Sequence, residues 1–515
     1  MAFLSRSSPV PRGGPRATRS WSLLLREAGV PPAPRELKVL LIFPPARSTV
    51  VEVLGTSGPP LGLAYLASAL EEEGHDVRIL DCLALGYGWE ELAKKLRGLG
   101  PDVVGITSTT PSIYDAYRTA RLVKAELPNA LVVLGGPHAT FMAEEVLAEC
   151  PHVDAVVAGE GELTFCELVN RLAREEPIEG IRGLYYRAEG LVKHGGPRPF
   201  IKDVDAIPWP AYHLLPMHAY SFGKKAFCAM LTSRGCPYRC VFCASSRLMG
   251  NIWRGRSVED VLGELKLLVE EYGIKEVEFL DDTFTLDMRR AERLAREVVR
   301  ESLDVSWSCS SRANTMSRRL ALELRRAGCH TIYLGIESAN QSTLNWLRKG
   351  ITVRQAVDAA RAVRAAGLNL VATFILGIPC ETREMMERTI RFARRLKPTL
   401  AQFTIFTPYP GTEAYAMAVK KGLLLTRDWS RYDTLTPVMK HPSLSPAELL
   451  HLFRKAYLSF YARLSFIINA IRRHAFSLIA RNLRRMVGML GEYLADAFSK
   501  PSMTPRATFL SSRPA

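Results

Sequence analysis

Short apolar runs at 38–43 (Lys-Val-Leu-Leu-Ile-Phe), 77–80, 102–107, 130–134 and 153–157 alternate with stretches whose apolar positions step by three or four residues. This alternation predicts parallel strands buried on both faces by intervening helices. The front of the chain, residues 37–185, therefore reads as a doubly wound, flavodoxin-like α/β domain with its ligand at the carboxyl ends of the strands. A Pro-punctuated connector, 186–222, follows with Ile207-Pro-Trp-Pro-Ala and Leu215-Pro. A second series of runs, at 227–232, 275–280, 304–308, 330–336, 369–376 and 401–406, predicts a full or partial (β/α)6 barrel over 223–440. Helical spacing then dominates 441–497. Leu449, Phe453, Ala456, Phe460, Leu464, Ile467, Ile471, Ala475 and Leu478 lie on one face, interrupted by Arg463 and too short to span a bilayer.

Composition narrows the class. A chain of 515 residues with 47% hydrophobic and 23% charged residues has room for two or three cored domains. Ten scattered cysteines and no secretory signal argue for a reducing, cytoplasmic setting rather than a disulfide framework. The net charge of +16 is uneven. Residues 1–36, rich in Arg and Pro, and residues 498–515 read as flexible tails. Arg454, Lys455, Arg463, Arg472, Arg473, Arg481, Arg484 and Arg485 fall in a stretch without an acidic residue. That segment has two readings: peripheral contact with an anionic membrane, or an apolar face packed on the barrel with solvated arginines.

The candidate chemistry directly follows the first barrel run. Cys236, Cys240 and Cys243 form a Cys-x3-Cys-x2-Cys triplet in Ser233-Arg-Gly-Cys-Pro-Tyr-Arg-Cys-Val-Phe-Cys-Ala244, with no nearby fourth cysteine or histidine. A structural zinc site takes four protein ligands. Three thiolates on a 4Fe-4S cluster leave one iron open to a substrate.

At this triplet, with Phe242 before its last cysteine, the chain resembles the radical S-adenosylmethionine superfamily. The resemblance implies that the methionine of S-adenosyl-L-methionine chelates the open iron and that reduction releases a 5′-deoxyadenosyl radical. Later motifs extend it. Asp281 and Asp282, in Glu278-Phe-Leu-Asp-Asp282-Thr-Phe284, stand where the family holds the methionine amine, although Gly-Gly-Glu is commoner there. Arg312 matches a partner for the methionine carboxylate, with a surface ion pair as the alternative. Glu337 and Ser338, in Leu334-Gly-Ile-Glu337-Ser338, match the ribose side, and Gly377, in Phe374-Ile-Leu-Gly377-Ile-Pro379, the adenine side. Cys380 departs from the glycine usual at its position and, like Cys228 and Cys329, reads as a buried small hydrophobe.

The front domain resembles cobalamin-binding modules. Pro60 and Gly62 in Pro59-Pro-Leu-Gly-Leu-Ala64, Gly74-His-Asp-Val-Arg-Ile-Leu-Asp81, Ser108 after Val104-Gly-Ile-Thr, Gly135 and Gly136 before Pro137-His138, and Gly159 and Glu160 in Gly159-Glu-Gly-Glu162 carry that likeness. The Asp-x-His-x-x-Gly loop that gives such modules a histidine on cobalt is missing. The resemblance thus implies cobalamin without a histidine below the metal, with His138 either a substitute ligand or an ordinary hydrogen-bonding loop residue. A flavodoxin-like sheet with another ligand, or none, is the plain alternative.

Together the two likenesses suggest methylation of an unactivated carbon in a small-molecule or lipid substrate, driven by a one-electron donor such as a flavodoxin or ferredoxin. The anaerobic magnesium-protoporphyrin ester cyclase and hopanoid methylase types share the pattern, so a non-methylating oxidative cyclase is the first alternative. A tRNA methylthiotransferase is disfavoured, because Cys82, Cys150 and Cys166 do not match its second cluster and no RNA-binding barrel follows; no nucleic acid is expected. A non-enzymatic cobalamin or redox sensor would not need the amine-side and ribose-side motifs.

Overall fold

The computed structural model describes residues 20–46 and 58–463. Its first sheet contains β1 (Lys38–Phe43), β2 (Asp76–Asp81), β3 (Val103–Thr107), β4 (Leu131–Gly135), β5 (Ala155–Val157), β6 (Leu184–Ala188) and β7 (Leu191–His194). They run in the order β2-β1-β3-β4-β5-β6-β7. The first five pair in parallel, as their uninterrupted apolar runs predict, and neighbouring Leu41 and Ile42 are both fully buried, one towards each face. β6 and β7 form an antiparallel hairpin on this sheet. It enters what reads as connector in the sequence, so the sheet continues to His194 rather than stopping near 185. Glu189 and Gly190, both at positive φ, make the two-residue turn.

The second sheet contains β8 (Ser221–Phe222), β9 (Lys225–Met230), β12 (Glu276–Phe279), β13 (Ser306–Arg312), β14 (Cys329–Glu337), β15 (Asn369–Leu376) and β16 (Leu400–Ile405), and a separate ribbon joins β10 (Ser233–Arg234) to β11 (Arg254–Gly255). The order β16-β15-β14-β13-β12-β9-β8 leaves the barrel open, so it is partial and not full. Six parallel strands form its wall, and β8 turns back on β9.

Two readings of the tails change. Trp21–Glu27 is a helix whose Trp21 and Leu25 are buried in the main core, so the expected flexible tail over 1–36 does not hold for residues 20–36; residues 1–19 lie outside the described residues. At the other end, the helix Pro446–Tyr461 opens on a capping box of Ser445 and Glu448 and lays Leu449, Leu452, Phe453 and Phe460 on the barrel. Tyr457 and Tyr461 donate their hydroxyls to the carbonyls of Phe403 and Ala401 at 3.0 and 2.8 Å. They also accept the amides of those residues, so the helix closes the free edge of β16. The arginine-rich stretch from 464 to 497, on which membrane contact rests, and the tail 498–515 lie outside the described residues. Among the described residues no helix is long and apolar enough to cross a membrane.

The connector is packed rather than loose. Tyr212 donates to Glu264 and Tyr220 to Asp81 at 2.5 and 2.7 Å, and the Ala211 amide reaches the Ala64 carbonyl at 3.0 Å. One apolar core accordingly contains residues of both sheets. A second core, on the other face of the first sheet, takes in Trp429, Tyr432 and Val438 from beyond the barrel.

Candidate active site

The three cysteines sit on a loop held at its neck by the β10–β11 ribbon. Gly235 starts the loop at φ +85°, and a Cβ there would lie 2.3 Å from the Ile252 carbonyl oxygen, so only glycine fits. The Cys236 amide donates to Gly250 and that of Val241 to Leu347, both at 3.0 Å, and these bonds shape the loop. Cys236 and Cys240 are buried and Cys243 is half-buried. Burial pushes the Cys236 and Cys243 thiols up in the metal-free protein, a preference that binding iron overturns because a coordinating thiol loses its proton.

Among the described residues no group of three or more His, Cys, Asp or Glu side chains closes on a single metal ion. A cubane does not ask for that, since it takes one thiolate per iron. Three thiols on one glycine-initiated loop, with a buried cation beside them, fit such a group. Cys240 Sγ lies 3.8 Å from Nη1 of Arg312, and the Phe242 ring lies under Lys349 Nζ, 5.8 Å from the ring centre.

The residues expected around the cofactor's methionine and nucleoside separate into different roles. Asp281 is buried and accepts bonds from the Thr232 amide at 3.1 Å, the Thr232 hydroxyl at 2.8 Å and the Ser233 hydroxyl. It braces the cluster loop. Its neighbour Asp282 is exposed at the surface, although the chain packed around its carboxyl raises it against an opposing hydrogen bond from Ser245, so of the pair it is the one open to a ligand. Glu337, at φ +64°, forms a buried ion pair with Lys349 at 2.7 Å, and Thr373 donates to its other oxygen at 3.4 Å. Arg312 turns away from solvent and donates to the Lys349 carbonyl.

Ser338 and Gly377 serve packing. Ser338 donates to Glu381 at 2.8 Å inside a buried network with Asn340 and Thr389. A Cβ on Gly377 would meet Leu449 at 2.7 Å, so the close approach that demands glycine comes from the carboxyl-terminal helix. Cys228 and Cys329 are buried as expected, but Cys380, in the turn after Pro379, is exposed. Glu381, absent from the residues singled out in the sequence, is buried with its carboxyl pushed up to about 7 by that burial.

In the first sheet, the loops after β3, β4 and β5 converge. Gly136 stands at φ +95°, and a Cβ there would lie 2.4 Å from the Ser108 carbonyl oxygen; the Ser108 amide and hydroxyl both donate to Gly135. Gly62, the second residue of the helix Leu61–Glu72 that Pro60 precedes, and Gly159, whose amide donates to Thr140 at 3.1 Å, have no heavy atom within 4 Å of a built Cβ. Such bare backbone is the surface a broad planar ring needs, and it fits cobalamin. His138 does not reach this surface freely. It is buried, with Nδ1 3.2 Å from the Thr110 hydroxyl and its ring edge-on to Trp429, and burial lowers it to about 4, so it stays neutral at pH 7. We expect His138→Gln to retain cobalamin with an unchanged absorption spectrum; loss of a nitrogen-ligated spectrum in that variant would make His138 the lower ligand.

Glu160 joins the two halves of the molecule. Its carboxylate meets Arg234 at 3.3 Å and Arg254 at 2.9 Å, and Glu162 meets Arg234 at 2.6 Å. All four side chains are buried or nearly so. Arg234 stands two residues before Cys236, so the Gly-Glu-Gly-Glu segment, expected to touch a cofactor, grips the base of the cysteine loop. Nothing in the spacing of these residues announced Arg234 or Arg254, since their partners come from a different domain.

The B12 binding domain family matches residues 47–169, and the radical SAM superfamily matches residues 230–393. The chain is 49% identical to an uncharacterized methyltransferase of Pyrococcus horikoshii, over 88% of this chain and 98% of that protein. It is 33% identical to the anaerobic magnesium-protoporphyrin IX monomethyl ester cyclase of Cereibacter sphaeroides, over 83% and 71%. In fold it is similar to the cobalamin-dependent S-adenosylmethionine radical enzyme OxsB, with a TM-score of 0.72 at 18% identity over 88% of this chain and 72% of the other. The radical S-adenosylmethionine methyltransferase TsrM of Kitasatospora setae gives 0.65 at 21%, over 75% and 78%. With both domains matched in the order that the two sheets and their facing loops display, this chain belongs to the radical S-adenosylmethionine enzymes that carry a B12-binding domain, whose cofactors are a 4Fe-4S cluster, S-adenosylmethionine and cobalamin.

Proposed function

We propose that the protein methylates an unactivated carbon of a small or hydrophobic substrate. The observation that carries this reading is the grip of Glu160 and Glu162 on Arg234, which brings the glycine-lined ends of the first sheet against the loop of Cys236, Cys240 and Cys243. When bound, the cluster supplies one electron to S-adenosylmethionine and cobalamin carries a methyl group.

The chain's own residues then have distinct tasks. The three cysteines would hold three irons of a cubane and leave the fourth for the cofactor's methionine. Asp282 receives the methionine ammonium, while Asp281 keeps the loop in place through Thr232 and Ser233. Gly62 and Gly159 keep side chains out of the corrin's way, Gly136 lets the loop after β4 close on Ser108, and the buried Glu337–Lys349 pair stands beside Phe242. A flavodoxin or ferredoxin is the fitting one-electron donor.

Anaerobic turnover with methyl-labelled S-adenosylmethionine tests the proposal. Label in the product, with 5′-deoxyadenosine and S-adenosylhomocysteine both accumulating, is the expected result. Consumed substrate without label rejects methylation and favours an oxidative cyclase, the second reading that the Cereibacter relative supports.

A further inference from the structure

We infer that Arg312 is a positioning residue for the iron–sulfur cluster: stacked on Tyr238, its guanidinium donates a hydrogen bond to the Cys240 thiolate and raises the cluster's reduction potential. This rests on the cluster assignment to Cys236, Cys240 and Cys243.

Arg312 ends β13, with its side chain buried at 5% exposure. Its guanidinium carbon lies 3.5 Å from the centre of the Tyr238 ring, within the cysteine loop between Cys236 and Cys240. The Tyr238 hydroxyl in turn accepts from Asn314 at 2.9 Å, which fixes the ring. Nη2 donates to the Lys349 carbonyl and Nη1 points to Cys240 Sγ at 3.8 Å, while Nε has no partner. Gly350 packs alongside, where a Cβ would sit in ordinary contact with both Nη2 and the Tyr238 ring.

The charge is what needs explanation. A buried guanidinium requires a counter-charge, and among the described residues Arg312 meets no carboxylate. The neighbouring Lys349 ammonium cannot help, being a cation already matched by Glu337. Three thiolates on a cluster supply the missing negative charge at the atom that Nη1 faces. Reduction adds a further electron there, so a fixed cation and its N–H bond favour the reduced form. Planarity matters too: lysine cannot stack on Tyr238, hold the Lys349 carbonyl and reach Cys240 at once.

The full-length protein, reconstituted anaerobically with iron and sulfide, decides the matter by potentiometric titration followed by electron paramagnetic resonance, with iron content measured in parallel. In Arg312→Gln the iron content is expected to hold. At the wild-type midpoint the ratio of reduced to oxidised cluster is expected to fall at least tenfold, about 59 mV for one electron. Arg312→Lys is expected between the two. Unchanged potential with full iron content overturns the inference. So does an unchanged potential together with weakened S-adenosylmethionine binding, which would return Arg312 to the methionine carboxylate. Should Arg312→Gln fail to take up iron, Tyr238→Leu removes the platform and spares the arginine: a lowered potential supports the inference, and a wild-type value overturns it. A wild-type protein that binds no iron would instead defeat the cluster assignment itself.

Discussion

Replacing Cys236, Cys240 and Cys243 together with alanine is expected to abolish both cluster binding and the release of 5′-deoxyadenosine, while cobalamin binding persists. In the proposed site each cysteine would hold one iron, and losing all three leaves no thiolate on the loop. The other cysteines cannot stand in. Cys228, Cys309 and Cys329 are fully buried in the barrel wall, Cys82, Cys150 and Cys166 lie in the first domain, and the exposed Cys380 is a single thiol outside the loop. The glycine-lined surface at Gly62 and Gly159 belongs to the first domain and does not depend on the loop's thiols. Iron content, cobalamin absorbance and chromatography of the nucleoside products provide the readout. Nucleoside release that survives the triple replacement would remove the cysteines from the site.

The second large effect is on stability. Arg234→Leu is expected to cost about 3–5 kcal/mol, because removing one partner of a buried pair strands the other's charge. Glu160 retains Arg254, but Glu162 loses the guanidinium it pairs with directly and keeps only the more distant Arg254. Burial disfavours the ionised Glu162; the Arg234 guanidinium outweighs it and holds the carboxyl below its usual value. A carboxyl depressed in the folded state stabilises above its unfolded pKa, and that stability disappears as pH falls through the folded value. The gap between wild type and Arg234→Leu should therefore be widest near neutrality and narrow on acidification. Adding Glu162→Gln to Arg234→Leu should recover part of the loss, since a neutral amide costs less to bury. Anaerobic denaturant titrations across pH measure this; a gap below 1 kcal/mol at pH 7, or one indifferent to pH, contradicts it.

What could be read from the chain follows a physical pattern. Parallel strands buried on both faces carry their own signal, as in Lys38–Phe43, and the triplet carries its chemistry in its spacing. Features decided by distant partners were not legible. Asp281 and Asp282 are adjacent and alike, yet the end of β12 turns one into the Thr232–Ser233 turn and the other outward. Gly377 answers to Leu449, seventy-two positions on, and Glu160 to arginines of another domain. Trp21 and Leu25 were hidden by composition, because seven helical residues inside an Arg- and Pro-rich stretch make too short a period to stand out. The Glu189–Gly190 turn was half-legible: Gly190 between Leu-Tyr-Tyr and Leu-Val marks a turn, but glutamate is not a residue that announces the positive φ it adopts there.

Trp429, Tyr432 and Val438 complete the core of the first domain although they are encoded after the last barrel strand. The cobalamin unit is therefore not a contiguous stretch of the gene. A fragment ending near residue 194 would expose the apolar floor those three side chains cover, with His138 deprived of its aromatic neighbour. Exchange of front domains between relatives by a single crossover in the connector would mate each sheet with a foreign plug and leave this core mismatched.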